Sequence, residues 1–159
     1  MPRKVTATLQ RQLSPDRRYQ SVLVQRLINK SMLDGKKLTA EKAVYTALET
    51  AAKKLDVESP LEVFEKALKN ISPSFEVKSR RVGGANYQIP FPVAGHRQLH
   101  YSFSWLVQAA RGRKGIPYSQ RLALEIVDAY NETGAAFKKK EDTHKMAEAN
   151  RAFAHFART

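Results

Sequence analysis

Residues 73 to 92 read PSFEVKSRRVGGANYQIPFP, two short runs of alternating polarity that meet at Gly83-Gly84. The other apolar patterns of the chain are mostly helical, so this stretch decides what kind of fold the chain adopts. From Ser74 to Arg80, Phe75, Val77 and Ser79 share one face of a strand, and Glu76, Lys78 and Arg80 share the other. On the return, Tyr87, Ile89 and Phe91 alternate with Asn86, Gln88 and Pro90. A two-residue Gly-Gly loop would pair Val77 with Pro90, set Ile89 beside Lys78 and mix the faces. A three-residue loop, Val82-Gly83-Gly84, pairs Phe75 with Phe91 and Val77 with Ile89, and gathers Lys78, Arg80, Asn86 and Gln88 opposite. Register follows the buried face, which predicts the three-residue loop. A lone two-stranded ribbon is marginal in water, so it must lean on a helical body or a ligand.

Working outward, the 159 residues suit one domain. Lys and Arg number 28 against 15 Asp and Glu, a net charge of +13. Such an excess points to nucleic acid or another polyanion and says little about fold. The excess is uneven: residues 34 to 65 hold five basic and seven acidic residues, and the remainder 23 and eight. The near-neutral middle is therefore expected to face away from the partner. No cysteine is present, which excludes disulfides, thiolate metal sites and cysteine nucleophiles. The first residues carry no apolar signal region, and no apolar run approaches the roughly eighteen residues of a membrane span. Cytoplasmic location is the expectation.

Residues 1 to 18 carry Arg3, Lys4, Arg11, Arg17 and Arg18 with two prolines and no helical period. They read equally as a solvated tail or as an arm that orders on a polyanion. Residues 19 to 159 then read as one helical RNA-binding domain. Leu23/Leu27, Val24/Ile28 and Ile28/Met32 predict a short helix that stops near Asp34-Gly35, before the cations Lys36 and Lys37. Ala40, Ala43, Val44, Ala47, Leu48, Ala51, Ala52 and Leu55 predict a second helix with a small-residue core face. Ser59-Pro60-Leu61-Glu62 has the pattern of a capped helix start. The ribbon follows at about 73 to 92. A fourth helix runs from beyond Gly95 into Arg111-Gly112-Arg113-Lys114, a fifth from Pro117 to Gly134, and a sixth, unbroken, from about Ala135 to Phe156. The expected fold is thus mainly α, about six helices with a protruding two-stranded β-hairpin between the third and fourth.

The cations of Arg111 to Lys114 suit a helix C-terminus, but three around one glycine exceed that need and favour phosphate contact. Lys138-Lys139-Lys140 adds another basic group. Tyr87 has the shape to stack on a base, although covering the ribbon's apolar face explains it better. His96 and His100 are four apart without an evident third ligand, so no metal is expected. Glu141-Asp142-Thr143-His144 lacks a partnered nucleophile, and Gly83-Gly84 is too short for a nucleotide-binding fingerprint. Neither an enzyme nor a cofactor is indicated. Cations spread over several elements suit a folded RNA with several helices.

Four stretches carry a more specific signal: GKKLTAEKAVYTALE, PLEVFEKALKNISPSFEVKSRRVGGANYQIP, SWLVQAARGR and KKKEDTHKMAEANRAFAH. In this order the chain, from about Leu13 to Phe156, closely resembles the small-subunit ribosomal protein seven family in its bacterial form. The resemblance implies a structural constituent of the small ribosomal subunit that binds the 3′ major domain of small-subunit rRNA and nucleates head assembly. It implies a ribbon near the exit-site tRNA and the mRNA exit path, with Arg80, Arg81, Val82, Gly83, Gly84, Ala85 and Asn86 at its tip. It maps rRNA binding onto the arm, Lys36, Lys37, Lys78, Arg80, Arg81, Arg111, Arg113 and Lys114. Small-subunit ribosomal proteins nine and eleven are implied neighbours, and the absent targeting segment implies a bacterial or organelle-encoded source. Pro92-Val93-Ala94 stands where the family usually has glutamate-valine-arginine, and Ser104 where arginine commonly precedes the tryptophan. Two cations of the pattern are missing there, which leaves Arg97 to carry that edge. The alternative from another class is a free-standing RNA chaperone or nucleic-acid architectural protein, which would bind many nucleic acids alike.

Overall fold

The computed structural model describes residues 12 to 82 and 84 to 157. Among them run α1 (Val22–Ser31), α2 (Lys37–Leu55), α3 (Pro60–Ile71), β1 (Phe75–Val82), β2 (Ala85–Pro92), α4 (Gly95–Gly112), α5 (Tyr118–Tyr130) and α6 (Gly134–Ala149). A 3-10 segment, Arg151–Ala157, closes the chain. The expected mainly helical fold with a hairpin between the third and fourth helices is what forms.

Local signals explain the boundaries. Ser59 accepts the backbone N–H of Glu62 at its hydroxyl, and Pro60 opens α3 where no N–H is needed. Asp34 and Gly35 are left-handed between α1 and α2. The alanine face of α2 is core as expected: Ala47, Leu48 and Ala51 are fully buried. Small side chains there let α2 approach α5, the central helix, whose Leu122, Ala123, Ile126 and Ala129 are fully buried among α2, α3, α4 and α6. No described helix is long and apolar enough to cross a membrane.

Two expectations are corrected. First, the strands pair Phe75 with Pro92, Val77 with Pro90, Lys78 with Ile89 and Val82 with Ala85. Two residues therefore separate them, and Gly84 takes φ +90°. Ile89 is fully buried while Phe75 is 47% exposed, with its ring 6.4 Å from that of His144. Lys78 and Arg80 share a face with Tyr87, Ile89 and Phe91, not with Asn86 and Gln88. The reason is Glu76, which the alternation assigned to the solvent side and which is only 6% exposed. A carboxylate tolerates burial when cations and donors meet it, and α4 supplies them.

Second, the last helix is not continuous to Phe156. It ends at Ala149 and is capped by Asn150, whose side-chain amide and backbone N–H both donate to the carbonyl of Met146. The 3-10 segment that follows packs on β2, with the Phe153 ring 5.0 Å from Tyr87. Tyr87 thus packs against an aromatic ring of the C-terminal segment, on the face it shares with Lys78 and Arg80.

Candidate nucleic-acid interface

At the base of the ribbon, Glu76 Oε2 accepts from Arg97 Nη2 at 2.6 Å, from Arg97 Nε at 3.2 Å and from the Tyr101 hydroxyl at 2.6 Å. Its other oxygen lies 2.9 Å from Lys78 Nζ. Burial pushes this carboxyl upward, but Tyr101, Lys78 and Arg97 together outweigh it and hold it at about 2. Lys78 also sits 4.9 Å from the centre of the Phe91 ring. Arg97 and Lys78 are therefore engaged within the protein, and Arg97 links the ribbon to α4 through Glu76. Farther out, Arg80, Arg81, Ala85 and Asn86 are exposed.

The loop between α4 and α5 is built differently. Arg111 and Lys114 are exposed. Arg111 Nη2 donates to the Ser31 carbonyl at 3.4 Å, and the Tyr118 hydroxyl donates to Ser31 Oγ at 2.8 Å. This ties the loop to the C-terminal end of α1, from which the chain runs directly to Lys36 and Lys37. Those two lysines are exposed, each 3.9 Å from a neighbouring carboxylate, a spacing worth little in water. Arg111 thus touches the helix end that Lys36 and Lys37 follow a few residues later in the chain. Arg113 instead turns inward: its Nε and Nη2 donate to Glu125 Oε2 at 3.0 and 2.7 Å, and Nη2 also reaches Asp128.

Arg3, Lys4 and Arg11 lie outside the described residues. Arg17 is exposed. Arg18 pairs with Glu49 and lies 5.7 Å from the ring centres of both Tyr19 and Tyr45. Asp16 organises this end of the chain. Its carboxylate accepts the N–H groups of Arg18, Tyr19 and Ser21 and the Tyr45 hydroxyl. Burial alone would raise the Asp16 pKa, but these donors lower it overall.

Several residues were not singled out from the sequence. Between α1 and α4 lies an open groove of about 500 Å³, where Arg26, Asn29, Lys30, His96 and His100 surround Leu13, Leu99 and Phe103. Arg26 and Lys30 are four apart on the polar side of α1, and that spacing was the available signal. Among the described residues no group of three or more potential metal ligands is assembled. Arg121 donates to the carbonyls of Arg113 and Arg111, and Lys140 to that of Asn70 at the end of α3. Lys139 reaches Gln108. His144 accepts the Ser74 N–H at Nε2, 3.0 Å away, which requires a neutral ring. Burial, aided by nearby Lys140, lowers its pKa. This is a helix-to-body hydrogen bond, from α6 to the start of the ribbon.

Residues 2–151 match the family described as ribosomal protein S7p/S5e. The small ribosomal subunit protein uS7 of Dictyoglomus turgidum is 54% identical over 156 residues, covering 98% of this chain and 99% of the relative. The protein of the same name from Chloroflexus aggregans is 54% identical over 158 residues, 99% of each. That of Thermotoga petrophila is 56% identical over 146 residues, 92% of this chain and 94% of the relative.

Proposed function

Since the chain belongs to the ribosomal protein S7p/S5e family and is a structural protein of the small ribosomal subunit, we propose that it binds the 3′ major domain of small-subunit rRNA and nucleates assembly of the head. The observation that carries this reading is that Arg111 and Tyr118, which bracket the loop holding exposed Lys114, bond Ser31 at the end of α1, a few residues before exposed Lys36 and Lys37. Each cation that meets a phosphate releases condensed counterions, and a cluster fed by two loops suits the bent surface of an RNA junction. The arm, with Arg3, Lys4, Arg11, Arg17 and Arg18, extends that contact. Arg80 and Arg81 add cations along the ribbon, whose tip, Arg80 to Asn86, lies near the exit-site tRNA and the mRNA exit path. Small-subunit proteins nine and eleven are its neighbours, in a cytoplasmic ribosome.

The test compares affinity for 3′ major-domain RNA with that for duplex DNA at matched salt. A preference of tenfold or more for the RNA supports the reading; equal affinity favours the free-standing chaperone. For the ribbon, Arg81 to Asn86 is replaced by two glycines, which leaves Arg80 opposite Tyr87 as the last pair. Subunits should still assemble and lose retention of deacylated tRNA at the exit site. Failure to assemble would assign the tip to rRNA anchoring.

A further inference from the structure

Arg113 differs from the other cations of its loop in what surrounds it. Glu125 is fully buried on α5, and its two oxygens serve two different elements. Oε2 takes the Arg113 fork, while Oε1 accepts the N–H of Ala136 in the first turn of α6 at 2.9 Å. Asp128, one turn further along α5, takes Arg113 Nη2 as well. Gly134, at φ +86°, closes over the pair: a Cβ there would fall 2.8 Å from Asp128 Cβ and 3.2 Å from Glu125 Oε1. Also from α5, Arg121 Nη1 donates to the carbonyls of Arg113 and Arg111 at 2.7 and 3.3 Å. The loop is thus held through both the side chain and the backbone of one residue.

We propose that Arg113, gripped by Glu125 and Asp128, is a positioning residue that sets Arg111 and Lys114 for phosphate and makes no RNA contact of its own. A guanidinium already shared between two carboxylates has little charge left to offer, since the group of three is net negative. Its planar fork is what the geometry uses, because one flat group meets two carboxylates from neighbouring turns of α5. Anchoring the fork removes backbone freedom that the loop would otherwise lose on binding. The inference rests on the rRNA-binding reading above.

The experiment measures affinity for 3′ major-domain RNA across a salt series. Lys114→Ala, and separately Arg111→Ala, should flatten the slope of log affinity against log salt by about 0.9 each, the value for one duplex phosphate. The double variant Arg113→Gln/Glu125→Gln keeps the local net charge. It should weaken binding about tenfold, the scale of one lost preorganised contact, with an unchanged slope. Arg113→Lys keeps the cation without the fork and should weaken binding similarly, which also covers the case of a double variant that does not fold. Amide exchange over residues 111–116 should quicken in either variant free of RNA. The inference is overturned if the double variant flattens the slope by about 0.9, or if Arg113→Lys binds as the parent does. If the parent itself shows no preference for the RNA, the rRNA reading fails and this inference falls with it.

Discussion

Replacing Glu76 by glutamine removes one charge at the junction of ribbon and body and leaves the shape almost unchanged. The carboxyl's fall from 4.5 to about 2 corresponds to about 3 kcal/mol, at about 1.36 kcal/mol for each tenfold change in proton affinity. Lys78 and Arg97 are each about half exposed, so solvent screens their share and a loss of about 2 kcal/mol at pH 7 is the better expectation. The sign with pH follows from the lowered value. The folded state prefers the ionised carboxylate, so the contribution is complete above the unfolded value near 4.5 and declines as pH falls toward about 2. Urea unfolding of parent and Glu76→Gln should differ by about 2 kcal/mol at pH 7, and by much less at pH 2. Amide exchange along β1 and β2 at pH 7 should quicken in the variant, because the pinned end of the ribbon is released. An undiminished gap at pH 2 would refute the charge argument. Equal stability and equal strand protection at pH 7 would refute the claim that Glu76 sets the ribbon.

Three further outcomes are expected. Ala47→Leu should overpack the α2–α5 contact by about 1–3 kcal/mol; an unchanged Tm would mean that this face has room. His144 has a lowered pKa, so its bond to the Ser74 N–H contributes stability above the ordinary imidazole range and loses it as pH falls through the folded value. Protection of the Ser74 amide should therefore drop on acidification, and protection that rises instead would reverse the assignment. Removing residues 1–11 deletes Arg3, Lys4 and Arg11 while keeping the Asp16 turn, and should flatten the salt slope of RNA binding by up to about 0.9 per cation; an unchanged slope would mean that these residues do not touch phosphate.

The helices were legible because their causes are local. The three- and four-residue spacing of the α2 alanines, the Ser59-Pro60 start of α3 and the Asp34-Gly35 stop act within one or two turns. The basic character of the surface was equally plain, since charge is a property of composition. What only the tertiary structure decided was which charges remain available to a partner. Arg113 and Lys114 are adjacent, yet one is clasped by Glu125 and Asp128 from α5 and the other is exposed. Lys78 and Arg97 meet at a carboxylate that strand alternation had assigned to solvent. The ribbon's register was lost in the same way: two loop lengths were open, and the alternation argument assumed that a buried face must be apolar. Burial of Glu76 against Arg97 and Tyr101, about twenty residues away on α4, reversed that choice. Ion pairing across the fold depends on which helix faces meet, and such long-range contacts have no period along the chain.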